Sequence, residues 1–469
     1  MNNFFIKYYP YFFISALFLG ITAPALWSNG MFMDGTIYAG ISRNLAEAYG
    51  SFWNMKFSET IMNPFFGHPP LAFYLESLGF RIFGDSIYVE RIYSLITGLL
   101  AILLIILILK SFIKTRNKSI IIISLILWLA FPLINWTYSN NMLENTVTVF
   151  VLSSFLFLLK NYERKRFLML FISGMFLFAG FLSKGFTSLF IWCVPLIYWL
   201  IYRKIKFTRA VIDTGLLVVF TSLPFVLIYY FSEEARIFFE NYFKEQIIGS
   251  ISHFPIKNGR FFILKSLLNE MIIPVIIMFV LFITVKLKKK KLKITNENVK
   301  SGLFFFLIAL SGILPIMISM KQRSFYIVPA LPFLAISFGF IINGLLCNFS
   351  NILIFFKKKI FIFLSYGLLG ISIIMIFIYA GRPGRDKTKI ADIYELKKEI
   401  PQKEIFAICD SYKGDWSLYA YMQRYGEYSI TTDTGKIVYF LTSKNIIPDT
   451  SYEKVNLNLD KYILYKKKD

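Results

Sequence analysis

Uncharged apolar stretches, each near the roughly 20 residues a helix needs to cross a bilayer, recur along the chain. One runs Pro10–Met33, and others begin near Ile92, Ser119, Asn145, Phe167, Gly185, Thr214, Met271, Ser301, Ser324 and Ile360. They predict an all-α polytopic membrane protein with about eleven transmembrane helices, in a range of about ten to thirteen. The long segment 28–91 interrupts the pattern. Within it Ile41, Leu45 and Ala48 fall at i, i+4 and i+7, which predicts an amphipathic helix closed by Gly50. Pro69-Pro70 then open a second helix over Leu71–Phe83, and Gly84-Asp85 stop it. Both helices are expected to lie along the membrane interface. After Gly381 apolar and polar runs alternate. Strands are expected over 404–409 and 436–441, with helices near Ile390–Ile400 and Trp416–Tyr425. The expected organisation is a transmembrane domain, 1–381, and a small extracytoplasmic α/β domain, 382–469.

Charge decides the expected orientation. Of the 469 residues 56% are hydrophobic and 17% charged, with a formal net charge of +23. With the N-terminus in the cytoplasm, the inward tail and loops hold 23 Lys and Arg against 3 acids, while the outward loops of the membrane region hold 12 of each. This positive-inside bias accounts for the basic balance and excludes reading it as nucleic-acid binding. The expected location is the inner (cytoplasmic) membrane, multi-pass. The first span is too long for a cleavable signal peptide. The three cysteines, Cys193, Cys347 and Cys409, are scattered and show neither a disulfide framework nor zinc-ligand spacing. No phosphate-cradling Gly-rich loop and no HExxH motif is present, and no internal repeat points to a transporter of inverted halves.

The expected outer face collects the chemically distinctive residues. Asp34 follows the first span, and Gly67-His68-Pro69-Pro70 follows in the same loop. Asn141 and Glu144 fall in the second outer segment, Ser183-Lys184-Gly185 in the third, Glu233, His253 and Arg260 in the fourth, and Lys321-Gln322-Arg323 in the fifth. One acid with several cations suits a sugar donor carried on a polyprenyl phosphate, whose tail stays in the bilayer. The phosphate is a good leaving group that cations such as Lys184, Lys321 and Arg323 would stabilise. The acceptor hydroxyl needs a base, and one carboxylate suffices for a single inverting displacement; the carboxylate pair of hydrolytic glycosidases is not required.

The ordered segments resemble the lipid-linked-sugar glycosyltransferases of the GT-C superfamily, in particular the group of bacterial aminoarabinose transferases and protein O-mannosyltransferases. Asp34-Gly-Thr-Ile-Tyr38-Ala-Gly-Ile-Ser-Arg43-Asn-Leu is similar to the group's first loop motif, and Gly67-His68-Pro69-Pro70-Leu-Ala-Phe-Tyr-Leu to its Lys-Pro-Pro-Leu motif. Phe83-Gly84-Asp85 and Arg91 follow in place. Leu182-Ser183-Lys184-Gly185 resembles a Thr/Ser-Lys-Gly motif, and Lys321-Gln-Arg323-Ser-Phe-Tyr326-Ile-Val-Pro329-Ala-Leu-Pro332 the late Lys and Tyr-x-x-Pro-x-x-Pro motif. The resemblance covers about residues 1–345. It implies Asp34 as catalytic base, assisted by Glu144. It also implies Lys184, Lys321, Arg323, His68 and Arg43 around the donor phosphate, and Tyr38 and Tyr326 as substrate contacts.

The implied partners are the bilayer, a polyprenyl-phosphate sugar and an acceptor that is lipid, protein or cell-wall glycan. No cofactor is required; a divalent metal at His68 and His253 is the alternative, and two ligands are few for one. Three positions depart from the group: His68 stands where lysine is common, so local charge depends on pH; Gly67 stands where some relatives have an acid; and Gly35 replaces a second acid after Asp34. Two further readings stay open: a transporter or flippase of lipid-linked glycans, and an oligosaccharide ligase or oligosaccharyltransferase.

Overall fold

The computed structural model describes residues 3–113, 118–162, 166–249, 259–289, 294–347, 358–433, 437–443, 446 and 449–468. Among these, nine helices are long and apolar enough to cross a membrane, or ten if Ser119–Ala130 and Pro132–Ser139, bent by 67°, form one span. Two of the expected spans, those from Phe167 and Gly185, fall in the 37-residue stretch Arg166–Tyr202. That stretch turns back on itself at Gly185, which has φ 75°. Ser188 Oγ consequently donates to the carbonyl of Leu177 at 3.4 Å.

By its internal contacts the chain divides into two units. The first comprises 1–23, 95–138 and 143–374. It contains most of α1 (Asn3–Trp27) and α4 (Val89–Phe112), then α5 (Lys118–Ala130), α6 (Pro132–Ser139), α7 (Leu143–Asn161), α8 (Arg166–Lys184), a 3-10 segment Gly185–Cys193, and α9 (Val194–Tyr202). The helices α10 (Phe207–Phe231), α11 (Glu233–Tyr242), α12 (Phe262–Leu287), α13 (Asn296–Ile313), α14 (Leu331–Leu346) and most of α15 (Lys358–Tyr379) complete it.

Lipid supplies no hydrophobic drive for helix association, so small residues must let the backbones close. A Cβ on Gly339 of α14 would come within 2.1 Å of Ser124 Oγ on α5. The hydroxyls of Ser154 on α7 and Ser173 on α8 meet at 2.8 Å. Phe155, Phe304, Phe305, Phe333 and Phe340 form the aromatic core. Buried Asp213 accepts from Asn161 Nδ2 at 3.1 Å and Arg166 Nε at 2.7 Å. By contrast α10, α12 and the span of α15 are only 17%, 17% and 11% buried, which suits lipid-facing helices.

The second unit comprises 24–94, 139–142 and 375–469. It joins the 28–91 segment to the C-terminal α/β part. The latter has α16 (Lys387–Glu399), α17 (Trp416–Tyr421) and β1 (Ile405–Ile408), β2 (Ser429–Thr431), β3 (Tyr439–Thr442), β4 (Tyr452–Lys454) and β5 (Ile463–Lys467). The sheet order is β2-β1-β3-β5-β4, with β1 parallel to β2 and β3, and β5 antiparallel to β3 and β4. Both helices and both strands expected from the pattern are present, except that residue 436 lies outside the described residues. The short strands β2, β4 and β5 escaped the pattern, since three to five residues carry little periodicity.

The 28–91 segment departs from expectation in one respect. Its first helix, α2, runs Met33–Ala46 and buries every residue from Gly35 to Leu45, so it is not an interfacial helix with a polar face in solvent. Its polar residues are partnered instead: Asn44 Nδ2 donates to the carbonyls of Lys56 and Phe57 at 3.0 and 2.8 Å. The second helix, α3 (Leu71–Phe83), has the expected bounds and is amphipathic. It begins after Pro70, ends at Gly84 with φ 68°, and leaves Ile82 and Phe83 exposed.

A buried charge network ties these parts together. Arg424, 1% exposed, donates through Nη1 to Asp85 Oδ1 at 2.5 Å and through Nη2 to Glu90 Oε2 at 3.0 Å and the carbonyl of Ser86 at 2.9 Å. Burial disfavours its charge, but the carboxylates of Glu90 and Asp85 outweigh burial and hold the guanidinium above its ordinary value. Removing one member of such a group leaves its partner charged and dry. Arg424→Ala is expected to destabilise this unit by about 3–5 kcal/mol. Combining it with Asp85→Asn and Glu90→Gln should restore much of the loss, as read by thermal unfolding in detergent.

Candidate functional site

Asp34 lies in the first turn of α2 rather than in open loop, where its carboxylate also suits the positive end of the helix dipole. The entry to that helix is held tightly. Phe32 N donates to Asn140 Oδ1 at 2.7 Å, and Tyr421 Oη donates to the carbonyl of Met31 at 2.7 Å. Gly35 faces the carbonyl oxygen of Asn140, and a Cβ there would lie 1.9 Å from it. A side chain at position 35 would push the helix off this turn, which explains the glycine in place of a second acid.

Tyr38 follows Asp34 by four residues and shares its face of the helix. Its hydroxyl meets His68 Nε2 at 3.2 Å, and the two rings pack edge to face at 5.7 Å. Pro69-Pro70 lead from His68 directly into α3, so helix start and imidazole position are set together. Arg43 follows Asp34 by nine residues, about 180° around the helix at 100° per residue. It faces another way: Nη2 donates to Asn44 Oδ1 at 3.0 Å, and Nη1 approaches Asp85 Oδ2 at 3.8 Å. Burial, and then the like charge of Arg424, pull Arg43 below its ordinary value.

The other expected residues belong to the first unit. Glu144, fully buried at the start of α7, accepts from Lys184 Nζ at 2.5 Å. Lys184 Nζ also lies 5.4 Å from the ring centre of Phe325 and 5.2 Å from that of Tyr326. The fold therefore brings Glu144, Lys184 and Tyr326 together. Gly185 completes the turn: a Cβ there would meet Tyr242 Oη at 2.1 Å. Lys321 is half-buried and Arg323 exposed. Gln322 anchors the segment that carries them. Its Oε1 accepts from Ile263 N at 3.2 Å, and its Nε2 donates to the carbonyls of Arg260 and Ser319, each at 3.1 Å. His253 lies outside the described residues. Among the described residues no three His, Cys, Asp or Glu side chains group as metal ligands.

One functional candidate was missed by sequence reasoning. Glu76, on α3 and 1% exposed, accepts from Ser42 Oγ of α2 at 2.8 Å and from Asn141 Nδ2 at 2.7 Å. It thus clamps the Asp34 helix to the turn that Gly35 touches. Within α3 a glutamate on the buried stripe is the available signal, but a single acid in an amphipathic pattern looks like a surface residue. Burial, then the charge of Glu90, push its carboxyl up to about 8, against smaller opposing effects from Ser42, Asn141 and Arg424. The folded protein therefore keeps a proton on Glu76 that the unfolded chain loses near its ordinary value of 4.5. Its contribution to stability falls as pH rises from about 4.5 to about 8, then levels off. Glu76→Gln, which mimics the protonated form, is expected to flatten that part of the stability profile and to stabilise the protein above pH 8 relative to the parent. Unfolding midpoints measured across pH for both proteins check this.

Residues 67–229 match the family model for dolichyl-phosphate-mannose-protein mannosyltransferase. Over 222 residues the chain is 28% identical to an undecaprenyl phosphate-alpha-4-amino-4-deoxy-L-arabinose arabinosyl transferase 2 of Proteus mirabilis, covering 46% of this chain and 38% of the relative. A related transferase of Wigglesworthia glossinidia brevipalpis is 27% identical over 186 residues, covering 38% of this chain and 32% of its own. The chain thus aligns with about a third of the length of these curated relatives. Among solved structures, ArnT from Cupriavidus metallidurans bound to undecaprenyl phosphate is similar with a TM-score of 0.66 at 15% identity, covering 97% of both chains. The archaeal oligosaccharyltransferase AglB from Archaeoglobus fulgidus, in complex with an inhibitory peptide and a dolichol-phosphate, is similar with a TM-score of 0.52 at 12% identity, covering 94% of this chain and 70% of that one. Over residues 67–229 the chain is thus similar to the dolichyl-phosphate-mannose-protein mannosyltransferase family, over part of its length to aminoarabinose transferases, and in whole-chain fold to ArnT.

Proposed function

We propose that the protein is a lipid-phosphate-dependent glycosyltransferase of the cytoplasmic membrane. It moves a sugar from a polyprenyl-phosphate donor to an acceptor at the outer face, with inversion and with Asp34 as base. The N-terminus is cytoplasmic and the C-terminal α/β part extracytoplasmic, as the positive-inside bias supports. The observation that carries the reading is Asp34 held in the first turn of a buried helix, one turn from Tyr38 and its partner His68. The backbone that carries this carboxylate is held by tertiary contacts at Met31, Phe32 and Gly35, which supports positioning it as a base.

In the proposed step the acceptor oxygen attacks the anomeric carbon from the face opposite the phosphate. The anomeric carbon–oxygen bond to phosphate breaks, its electron pair leaves with the phosphate, and the acceptor proton passes to Asp34. The step calls for no cofactor. Glu144 neutralises Lys184, and Asp85 shares Arg43. The cations proposed to stabilise the departing phosphate are those the resemblance implies, Lys184, Lys321, Arg323, His68 and Arg43, with Lys184 also resting against the ring of Tyr326. The ArnT structure is bound to undecaprenyl phosphate and the AglB structure holds a dolichol-phosphate, which supports a polyprenyl-phosphate donor.

The test uses the purified chain in lipid, radiolabelled polyprenyl-phosphate sugars and a membrane extract. Asp34→Asn is expected to lower transfer by about 10²–10⁴-fold, the usual contribution of a general base. Full transfer by a correctly folded Asp34→Asn protein would remove Asp34 as base. No transfer from any donor, with a working control enzyme, would instead favour transport or binding of lipid-linked glycans.

A further inference from the structure

A cavity lies wholly within the second unit, on the far side of α2 from Asp34 and Tyr38, and shares Arg43 with the residues described above. Its volume is about 270 Å³, close to the lower end of the ~300–1,000 Å³ typical of small-molecule sites. The C-terminal turn of α2 and the loop after it form one wall, and the turn after α17 with the start of β2 forms the other. The walls are pinned independently of any ligand. Glu59 N donates to Ser429 Oγ at 3.1 Å, and Thr60 Oγ1 donates to the carbonyl of Ile430 at 2.6 Å, so the loop caps the edge strand β2.

The lining residues are all polar or charged in type, while their stems make about half of the surface apolar. Arg43 and Gln423 are 1% and 5% exposed, and Arg43 Nε and Gln423 Oε1 make no hydrogen bond. Leaving a buried polar atom unsatisfied is costly, so two on the lining residues of one cavity are poorly explained by packing. Glu47, Glu59 and Glu427 line the cavity with Lys403, and the Glu47 carboxylate approaches Arg43 Nε only to 3.9 Å. Glu47 and Glu59 are exposed and Glu427 half-buried, so three carboxylates face an entering ligand. Tyr49 adds an aromatic ring. Carboxylates accept from hydroxyl and ammonium groups, and the arginine and amide offer both donors and acceptors. A phosphate or carboxylate ligand would meet like charge, and an apolar one would leave these groups unpaired.

We propose that this cavity is a saccharide subsite that binds a neutral or amine-bearing sugar ring and holds the acceptor glycan. The role as acceptor site rests on the transfer reading above; sugar binding does not. It gives the C-terminal α/β part a task, since Lys403, Gln423, Glu427 and Ser429 all come from it.

The test is saturation-transfer NMR on the full chain in lipid nanodiscs, with methyl glucoside, glucosamine and glucuronate as probes. The first two are expected to bind, glucuronate far more weakly. Glu59→Lys combined with Glu427→Lys should weaken glucosamine at least tenfold and improve glucuronate. Absence of saccharide binding by folded protein, or binding indifferent to the Glu59/Glu427 variant, overturns the subsite. In the transfer assay the same variant should raise the acceptor KM with little change in kcat. Binding that obeys these expectations without any transfer leaves the subsite standing and removes the transfer reading; transfer with an unaltered acceptor KM removes the subsite alone.

Discussion

A guanidinium withdrawn from water must find carboxylates, and the second unit is built around that constraint. Arg424 comes from the C-terminal α/β part, while Asp85 and Glu90 come from the end of the 28–91 segment. Desolvating Arg424 and Glu90 is costly and is offset only while the geometry holds, with Asp85 closing the network from the exposed side. The same segment is tied at further points: Asn29 Nδ2 donates to Tyr394 Oη at 2.7 Å, and Gly30, with φ 84°, packs where a Cβ would come within 2.8 Å of the Arg385 carbonyl. The α/β part is therefore integral to the unit that carries Asp34.

Within that unit α2 separates two kinds of chemistry by helical phase. One face carries Asp34 and Tyr38; about half a turn away Arg43 enters the charge network and the floor of the polar cavity. Glu76 locks this phase through Ser42 and Asn141. Because it is held as a neutral acid, the clamp adds no further negative charge close to Glu90.

The first unit follows a related rule under stricter conditions. Apolar surroundings make an unpaired charge expensive, so Lys184 is joined to Glu144 and rests against two aromatic rings. Gln322 satisfies several backbone groups around the segment carrying Lys321 and Arg323. Side chains that look like bystanders in sequence thus set the positions of the cations beside them.

Much of this was legible in the chain itself. Apolar runs of membrane length, the proline entry and glycine exit of α3, and the ordered motifs around Asp34, His68, Lys184 and Tyr326 follow from local chemistry, which periodicity and residue type report directly. The buried state of α2, the pairing of Glu144 with Lys184, the steric demand on Gly35 and the parts played by Glu76, Gln322 and Arg424 were not legible. Each depends on a partner far along the chain, 334 residues away for Arg424 and Glu90 and 65 for Glu76 and Asn141. Sequence by itself determined which segments are apolar enough for a membrane and which residues can carry charge or protons. Only tertiary structure decided which charges are neutralised and which face each side chain takes, because desolvation and distance act through space rather than along the chain.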